Sequence, residues 1–270
     1  MNRAADVVTE AVPAGNEAAA LVRDQGFAVI TEVVDPAIVT TMRGELQRCV
    51  DEDLARWNSG DAGRVDAWMV HNLMLRADCF ADFLENPALH SCLTPLLGDT
   101  CIVYAYTSSS MPPGASNYSN RIHTDCPRVI PGYVTNVGFI CALDDFSEEN
   151  GGTRFLPRSF ERIEPPDEEE FLRDGVLVLP RAGQGVVFNA RLWHCGGANG
   201  TRRPRHAITL NVCRAYMRQR FDYPRMTPPV LYERLGEVGR RFLGFNVRVP
   251  TGLEEYYLPE GQRLYKAGQG

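Results

Sequence analysis

The chain has 270 residues, of which 44% are hydrophobic and 23% charged, so it is long enough to bury a globular core. Its net charge of −6 argues against nucleic acid as a partner, because phosphate contacts require a basic face, and it gives no reason to expect an anionic membrane. No stretch reaches about 18 apolar residues, and the N-terminus lacks a secretory h-region. The eight cysteines form no C-x-x-C pair, and we expect a reduced, cytoplasmic protein.

The first hundred residues predict a helical layer. Residues 1–14 are expected to form a loose arm, and Asn16 is the expected N-cap of the first helix. Asp35 and Pro36 predict the start of a long amphipathic helix, and Gly98 predicts the end of a later one. The predicted elements are a helix over 16–25, a strand over 26–30, and helices over 35–57 and 86–99.

Beyond residue 100, short β-rich runs alternate with turns that contain Gly, Pro, Asn and Asp. The runs are 101–107, 133–143, 152–157, 175–180, 183–189 and 205–213. Many short strands at this spacing are typical of a sandwich or barrel, and we predict a mainly β jelly roll with N-terminal helices packed on its larger sheet. No linker divides the chain. We therefore predict one domain over 15–270, with a helical layer over about 15–99, a jelly roll over about 100–215 and a C-terminal extension over 216–270.

Strand alternation separates two faces of the run 135–143. Val137, Phe139, Cys141 and Leu143 form a bulky apolar face, which suits packing against helices. The opposite face, from Asn136 to Ala142, is smaller and partly polar. In 205–213 the same alternation places Arg205, Ala207, Thr209 and Asn211 together. These two smaller faces predict the lining of a cavity.

The segment RIHTDCPR, at 121–128, places His123 and Asp125 two positions apart at the expected start of a strand. Both side chains would then lie on one face. A second histidine, His194, follows far downstream. Two imidazoles and a carboxylate form the facial triad that binds Fe(II) in non-heme oxygenases and leaves coordination positions open. An isolated H-x-D is more often a structural pair, so the hypothesis requires His194 to lie nearby. These three residues are called the facial triad below.

Arg205 follows His194 by eleven residues and lies at the start of a predicted strand. A guanidinium can hold a carboxylate through two parallel hydrogen bonds, which an ammonium cannot do. Arg205 is therefore a candidate to hold the distal carboxylate of a bidentate 2-oxo acid bound to the metal.

Several motifs in order resemble the phytanoyl-CoA dioxygenase family. They are H-T-D at 123–125, L-D-D-F-S-E-E-N-G-G-T-R-F-L-P-R-S at 143–159, and W-H followed by Arg205. The resemblance covers roughly residues 18–225. It implies a double-stranded β-helix with a cupin-like jelly roll, and an enzyme that depends on Fe(II), 2-oxoglutarate and O₂. The carboxylate ligand, Asp125, is present, whereas halogenating relatives lack it, so a halogenase is disfavoured.

The resemblance implies that His123, Asp125 and His194 bind iron and that Arg205 binds the distal carboxylate of 2-oxoglutarate. Thr107 falls where the family often contacts the co-substrate. Asn136 is added as a co-substrate contact from strand alternation alone. Ile140 stands where relatives often carry Trp, which predicts a different wall of the cofactor pocket.

Candidate substrate contacts flank the motifs or match family positions. They are His71, Asn72, Arg128, Tyr133, Trp193 and Arg214. Each is more often a packing residue when taken singly. The arginines after residue 200 are by default solvated, and an acidic substrate is indicated if Arg214 or Arg218 lines the cavity mouth.

The predicted activity is hydroxylation, or another oxidative change, at an unactivated C–H bond of a small organic metabolite, with release of succinate and CO₂. Secondary metabolism is the favoured setting, and the protein is expected to be a monomer or homodimer. Two alternatives stay open: a metal-dependent, cupin-like isomerase or hydrolase that needs no 2-oxoglutarate, and a non-catalytic sensor that retains the fold.

Overall fold

The computed structural model describes residues 6–57 and 66–263. Its strands are Val7–Val8 (β1), Phe27–Ile30 (β2), Ile102–Ser108 (β3), Asn136–Ala142 (β4), Thr153–Phe155 (β5), Val176–Val178 (β6), Gly185–Asn189 (β7), His194–Gly196 (β8) and Ala207–Cys213 (β9). Its α-helices are Asn16–Asp24 (α1), Pro36–Trp57 (α2), Asp78–Asp82 (α3), Pro87–Leu97 (α4), Glu168–Asp174 (α5), Tyr223–Met226 (α6), Pro229–Arg234 (α7), Glu237–Phe242 (α8) and Leu253–Tyr256 (α9).

The strands form two sheets that face each other. The larger sheet has the order β2-β7-β4-β9-β3 and is antiparallel throughout, whereas the smaller one has the order β1-β6-β5-β8. Within the smaller sheet β1 and β6 run parallel and the other pairs antiparallel. Two mostly antiparallel sheets with helices on one side confirm the predicted jelly roll with a helical layer.

The alternation in β4 gives the larger sheet two different faces. Val137, Phe139 and Cys141 join a core cluster with residues of α1, α2 and α4. Ile140 and Ala142, which point the other way, belong to a second cluster between the two sheets. Helices therefore cover one face of the larger sheet, and the other face is left to line an interior space.

The predicted loose arm over 1–14 is wrong for its described part, residues 6–14. Val7 and Val8 pair with Leu177 and Val178, and Val12 forms a bridge with Ile30. The two valines pair with the edge of the smaller sheet. A strand this short shows no alternation of polar and apolar residues, so the sequence does not reveal it.

The helix boundaries differ from the predictions at one cap. Gly15 is the N-cap of α1, at φ 126°, and Asn16 is the first helical residue without a side-chain capping bond. The other two capping predictions agree with the structure: the Asp35 carboxylate accepts a hydrogen bond from the Ala37 amide at 2.8 Å, and Gly98 follows α4 with φ 87°.

The segment that carries H-x-D is also not a regular strand. His123 forms an isolated antiparallel bridge with His194, which is the first residue of β8. Between Cys213 and residue 263, where the described part of the chain ends, lie the short helices α6 to α9, where the sequence predicts only an extension. Within the described ranges, no helix combines the length and the apolar character needed to cross a bilayer.

Candidate active site

The facial triad assembles in the structure from two distant segments. Its ligand atoms, one from each of His123, Asp125 and His194, all lie within 4.8 Å of one another. The Asp125 carboxylate is 3.5 Å from His123 Nε2 and 3.9 Å from His194 Nε2. Donors of this kind and spacing suit a first-row divalent metal and occupy only one side of it.

Backbone hydrogen bonds lock the two histidine segments together. The His123 amide donates to the His194 carbonyl at 3.0 Å, and the His194 amide donates back at 2.9 Å. The Asp125 amide donates to the Ala190 carbonyl at 2.9 Å. The motif loop is thus fixed to the end of β7 and the start of β8, which explains how residues about 70 positions apart share one site.

Both imidazoles are oriented by carbonyl oxygens. His123 Nδ1 donates to the Arg121 carbonyl at 2.7 Å, and His194 Nδ1 donates to the Leu192 carbonyl at 2.9 Å. A carbonyl only accepts, so Nδ1 carries the proton in each ring and Nε2 keeps its lone pair toward the site. Outer-shell bonds of this type fix the tautomer that a metal requires.

Aromatic rings hold His194 from behind. Its ring lies 5.6 Å from Phe155, nearly parallel, and 5.1 Å from Phe188, edge to face. Phe188 in turn packs on Gly138 of β4, where an added Cβ would meet the ring at 2.1 Å. Glycine at 138 therefore makes room for the ring that supports a ligand.

The electrostatics of the triad favour the ligating protonation states. Burial lowers the pKa of His194 to about 4, the neighbouring His123 lowers it too, and Asp125 opposes the shift. Burial acts to raise the pKa of Asp125, but the hydrogen bond with His123 and the attraction of His194 outweigh it and hold that pKa below its usual value. A neutral His194 and an ionised Asp125 are the forms that bind a cation.

The triad opens into a cavity of about 290 Å³ between the two sheets. Ile140 and Phe188 contribute apolar walls, and Ile140 does so as the alternation in β4 predicts. Thr107 also lines the cavity, where its hydroxyl lies 2.7 Å from that of Thr209. Two hydroxyl groups on adjacent strands form a polar patch in the wall.

Arg205 lies in the same cavity and is 2% exposed. One terminal nitrogen donates to the Gly151 carbonyl at 2.8 Å, and the guanidinium stacks on Phe146 at 4.0 Å. Its Nε is buried and has no hydrogen-bond partner among the described residues. Burial lowers the pKa of Arg205 to about 9, against the effect of Asp144. A buried cation with an unused hydrogen-bond donor favours the binding of an anion.

The E-N-G-G motif builds the cradle of Arg205. Ser147 and Asn150 exchange hydrogen bonds across the turn, from the Ser147 amide to the Asn150 side chain at 2.8 Å and from the Asn150 amide to the Ser147 hydroxyl at 3.1 Å. Gly151 adopts φ 86°, and a Cβ there would lie 2.4 Å from the Gly197 carbonyl. Only glycine fits this close backbone approach, which aims the Gly151 carbonyl at Arg205.

Asn136 does not line the cavity, contrary to the prediction from strand alternation. Its Nδ2 donates to Asn211 Oδ1 at 2.8 Å, and Asn211 lines the space instead. Thr209 and Asn211 do line the cavity, as the alternation along 205–213 predicts, although neither was named as a co-substrate contact. Both share the parity of Arg205 along 205–213, so the alternation in the sequence contained the signal.

The six predicted substrate contacts also lie outside the cavity wall: His71, Asn72, Arg128, Tyr133, Trp193 and Arg214. His71 Nε2 contacts Asp66 at 2.6 Å, and Asn72 adopts a left-handed conformation at the start of a short helix. Arg214 stacks on Tyr133 and donates to the Val134 carbonyl. The predicted route to an acidic substrate through Arg214 is therefore wrong, because its guanidinium is used in packing.

Trp193 and Arg128 were predicted as substrate contacts from their position along the chain, and their surroundings in the structure explain why that prediction fails. The Trp193 amide donates to the Ser159 hydroxyl at 3.0 Å, and its indole nitrogen is buried. Arg128 is exposed on the loop after the H-x-D motif. Trp193 precedes His194 and Arg128 follows Asp125 by three positions, but neither lines the cavity.

Comparison with known proteins gives this fold and site a context. The sequence model of the family described as phytanoyl-CoA dioxygenase matches residues 22–207. An uncharacterized protein of Mycobacterium tuberculosis, Rv1501, is 33% identical over 251 residues, which are 91% of this chain and 92% of that protein. The dioxygenase andF of Emericella variicolor is 24% identical, and the alignment covers 93% of this chain and 88% of that protein.

Solved structures show the same fold. The non-heme alpha-ketoglutarate-dependent epimerase SnoN, from nogalamycin biosynthesis, superposes with a TM-score of 0.58 at 24% identity. The alignment covers 73% of this chain and 82% of SnoN. At this identity the likeness concerns the arrangement of strands and helices.

Proposed function

The chain belongs to the phytanoyl-CoA dioxygenase family of non-heme oxygenases, and on that premise we propose that it is an Fe(II)- and 2-oxoglutarate-dependent oxygenase. Its substrate is a small organic molecule that is oxidised at an unactivated C–H bond, in most cases to an alcohol. The observation that carries this proposal is one cavity containing both an open facial triad and a buried arginine with an unused donor.

The residues present fit both absent groups. His123, Asp125 and His194 would hold Fe(II) through two Nε2 atoms and a carboxylate, and Arg205 would hold the distal carboxylate of 2-oxoglutarate. When bound, the metal activates O₂ with electrons from the oxidation of 2-oxoglutarate to succinate and CO₂. Burying the charge of Arg205 costs free energy. This cost falls when an anion binds beside the guanidinium, because the two charges then compensate each other in a space of low polarity.

The protein contributes binding and orientation. The Nδ1–carbonyl bonds keep both imidazole lone pairs directed inward, and the Thr107 and Thr209 hydroxyls offer hydrogen bonds to an oxygen-rich ligand. Phe188 and Ile140 exclude water from one wall. A substrate held by the remaining wall would present one C–H bond to the metal, and this placement decides which carbon reacts.

The metal-only isomerase or hydrolase and the non-catalytic sensor are weaker proposals. Neither gives a reason to bury Arg205 beside the triad without a protein carboxylate as its partner. Relatives named as dioxygenases support an oxidation, and we place it in secondary metabolism as part of the proposal.

The test is spectroscopic and needs no substrate. Protein kept anaerobic with Fe(II) should develop a weak visible charge-transfer band on addition of 2-oxoglutarate, because a 2-oxo acid chelates the metal through its keto and carboxylate oxygens. Omission of Fe(II) should abolish the band. Protein that binds Fe(II) but gives no band at millimolar 2-oxoglutarate would contradict the proposal and favour both weaker ones.

The substrate itself can be sought by isotope labelling. The holoenzyme would be incubated with metabolite extract under ¹⁸O₂, and the product would gain one labelled oxygen as succinate forms in equal amount. Succinate formed without a labelled product would point to ring closure, desaturation or epimerisation instead of hydroxylation.

A further inference from the structure

Two more arginines, Arg121 and Arg220, line the cavity that contains the triad. Arg121 stacks on the Tyr118 ring at 3.9 Å and donates to its hydroxyl. Arg220 follows β9, and its amide donates to the Tyr104 carbonyl at 3.0 Å. Both are exposed, whereas Arg205 is 2% exposed, so they mark the mouth of the cavity and Arg205 its interior.

Neither mouth arginine forms an ion pair with an acidic residue in the part of the chain that the structure describes, although the charge of Arg121 also acts on Asp125. The ion pairs found there involve other arginines, such as Arg43 with Asp144 and Arg158 with Asp24. The chain has 34 acidic against 28 basic residues, so acidic partners are not scarce. Two unpaired cations at one opening therefore indicate a ligand that supplies the negative charge.

The net charge of the cavity with iron and 2-oxoglutarate bound also indicates a ligand that supplies negative charge. Divalent iron, the Asp125 carboxylate, the Arg205 cation and doubly ionised 2-oxoglutarate together sum to zero. Asp125 is the one acidic residue of the cavity wall among the described residues, so the charges of Arg121 and Arg220 stay uncompensated. This step rests on the proposed function, because it assigns Arg205 to the co-substrate.

Part of the cavity wall is apolar and aromatic. Met69, Tyr104, Ile140 and Phe188 contribute to it. We propose that the substrate is an organic acid with an apolar body, whose carboxylate or phosphate binds Arg220 and Arg121 at the mouth while a carbon of the apolar part faces the metal. The forked guanidinium of Arg220 matches either anion.

The test compares three probes of matched shape by isothermal titration calorimetry. They are 3-phenylpropanoate, 2-phenylethyl phosphate and the neutral 3-phenylpropan-1-ol, each added to anaerobic protein with Fe(II) and saturating 2-oxoglutarate, which keeps Arg205 occupied. At least one anion should bind about 10-fold more tightly than the alcohol, since a charge-assisted contact at an exposed site contributes about 1.4 kcal/mol. Which anion binds better decides between carboxylate and phosphate.

Arg220→Gln should reduce this preference to less than about 3-fold and leave the affinity for the alcohol unchanged. Arg218→Gln is the matched control, because Arg218 is exposed two positions away but does not line the cavity, and it should keep the preference. For the wild type, raising NaCl from 0.05 to 0.5 M should shrink the preference, since the mouth is open to solvent.

Equal binding of the alcohol and both anions by the wild type would overturn the inference, as would a preference that survives in Arg220→Gln. The charge-transfer band of the same samples keeps this outcome separate from the proposed function. A band without an anion preference leaves the oxygenase proposal standing and removes the mouth site. An anion preference that depends on Arg220, in protein without a band, supports the mouth site and removes the oxygenase proposal.

Discussion

At the scale of single residues, Arg205 shows how burial prepares a side chain for a ligand. Its guanidinium keeps one carbonyl as a hydrogen-bond partner and stacks on Phe146, while its Nε stays unpaired. Leaving a buried donor unused costs about 1–3 kcal/mol, and a bound carboxylate recovers that cost. The residue is thus destabilising without a ligand and favourable with one.

Replacing Arg205 should therefore weaken 2-oxoglutarate specifically. A bidentate, charge-assisted contact in a partly dry cavity is worth about 2–4 kcal/mol, so Arg205→Ala should raise the apparent Kd roughly 30- to 1000-fold. Arg205→Lys should recover only part of the loss, because an ammonium lacks the fork. Titration of the charge-transfer band gives the Kd. Iron content should stay at the wild-type level, and a wild-type Kd in the alanine variant would assign the carboxylate to another residue.

Asp125 is the residue on which we expect metal retention to depend. It supplies the one anionic ligand of the triad, and Asp125→Ala removes both a donor atom and the charge that balances the cation. We expect the affinity for Fe(II) to fall by more than the about 10- to 100-fold typical of outer-shell substitutions, and oxidation to stop. Iron content after gel filtration measures this. Arg128→Ala, on the same loop but outside the cavity, is the control and should retain iron.

At the scale of elements, β4 and β7 together support the side chain of His194, although His194 belongs to neither strand. Gly138 of β4 is opposite Phe188 of β7 in the register, and the Phe188 ring covers the glycine. The other side of that ring contacts His194 at 5.1 Å between centroids. Strand pairing thereby sets the position of a metal ligand on the opposite sheet.

Gly138→Ala should disturb this support. The added methyl group would lie 2.1 Å from the Phe188 ring, so the ring, which also packs on His194, must shift. We expect a loss of about 1–3 kcal/mol in the free energy of unfolding and weaker iron binding. Urea unfolding and iron content test both. Gly44→Ala, in α2 with open space around it, should instead stabilise by about 0.5–1 kcal/mol. Unchanged iron affinity in Gly138→Ala would show that Phe188 does not position the ligand.

Much of the element order was predictable from the sequence, because the larger strands carry a period of two with one bulky face. The faces of β4 and the grouping of Arg205 with the strand after it follow from that pattern. Strand β1 was not predictable, since two valines gain their partner, β6, about 170 residues later. Arg220 was not predicted for the same reason: only the fold brings it to the cavity that Arg121 also lines.

At the scale of the whole molecule, the cavity joins two sheets with different tasks. His194 belongs to β8 of the smaller sheet and brings His123 with it through their bridge. Arg205 immediately precedes β9 of the larger sheet, which the helices cover from outside. A co-substrate held at both ends would therefore connect the sheets, and we expect iron and 2-oxoglutarate together to raise the melting temperature more than either alone.

The helical layer contains a buried histidine that should make the whole protein sensitive to acid. His90 of α4 donates through Nε2 to the Leu84 carbonyl at 2.8 Å and packs on Phe242 at 4.8 Å, and its Nδ1 is buried without a partner among the described residues. Burial lowers the pKa of His90, Arg241 adds to the effect, and the Leu84 carbonyl and Glu85 oppose it. The folded state thus resists protonation of His90.

Below the unfolded pKa of about 6.5 the unfolded chain binds a proton at His90 before the folded protein does, so stability must fall as the pH drops through this range. For this one group the slope is at most about 1.4 kcal/mol per pH unit. His90→Gln keeps a donor for Leu84 but cannot titrate. The free energy of unfolding, measured in urea at pH 7.5, 6.0 and 5.0 with EDTA present, should decline less steeply in this variant than in the wild type. The chelator removes metal from both proteins, and the other four histidines are the same in each, so their contributions cancel in the difference. Parallel declines would show that His90 is protonated as easily in the folded protein as in the unfolded chain.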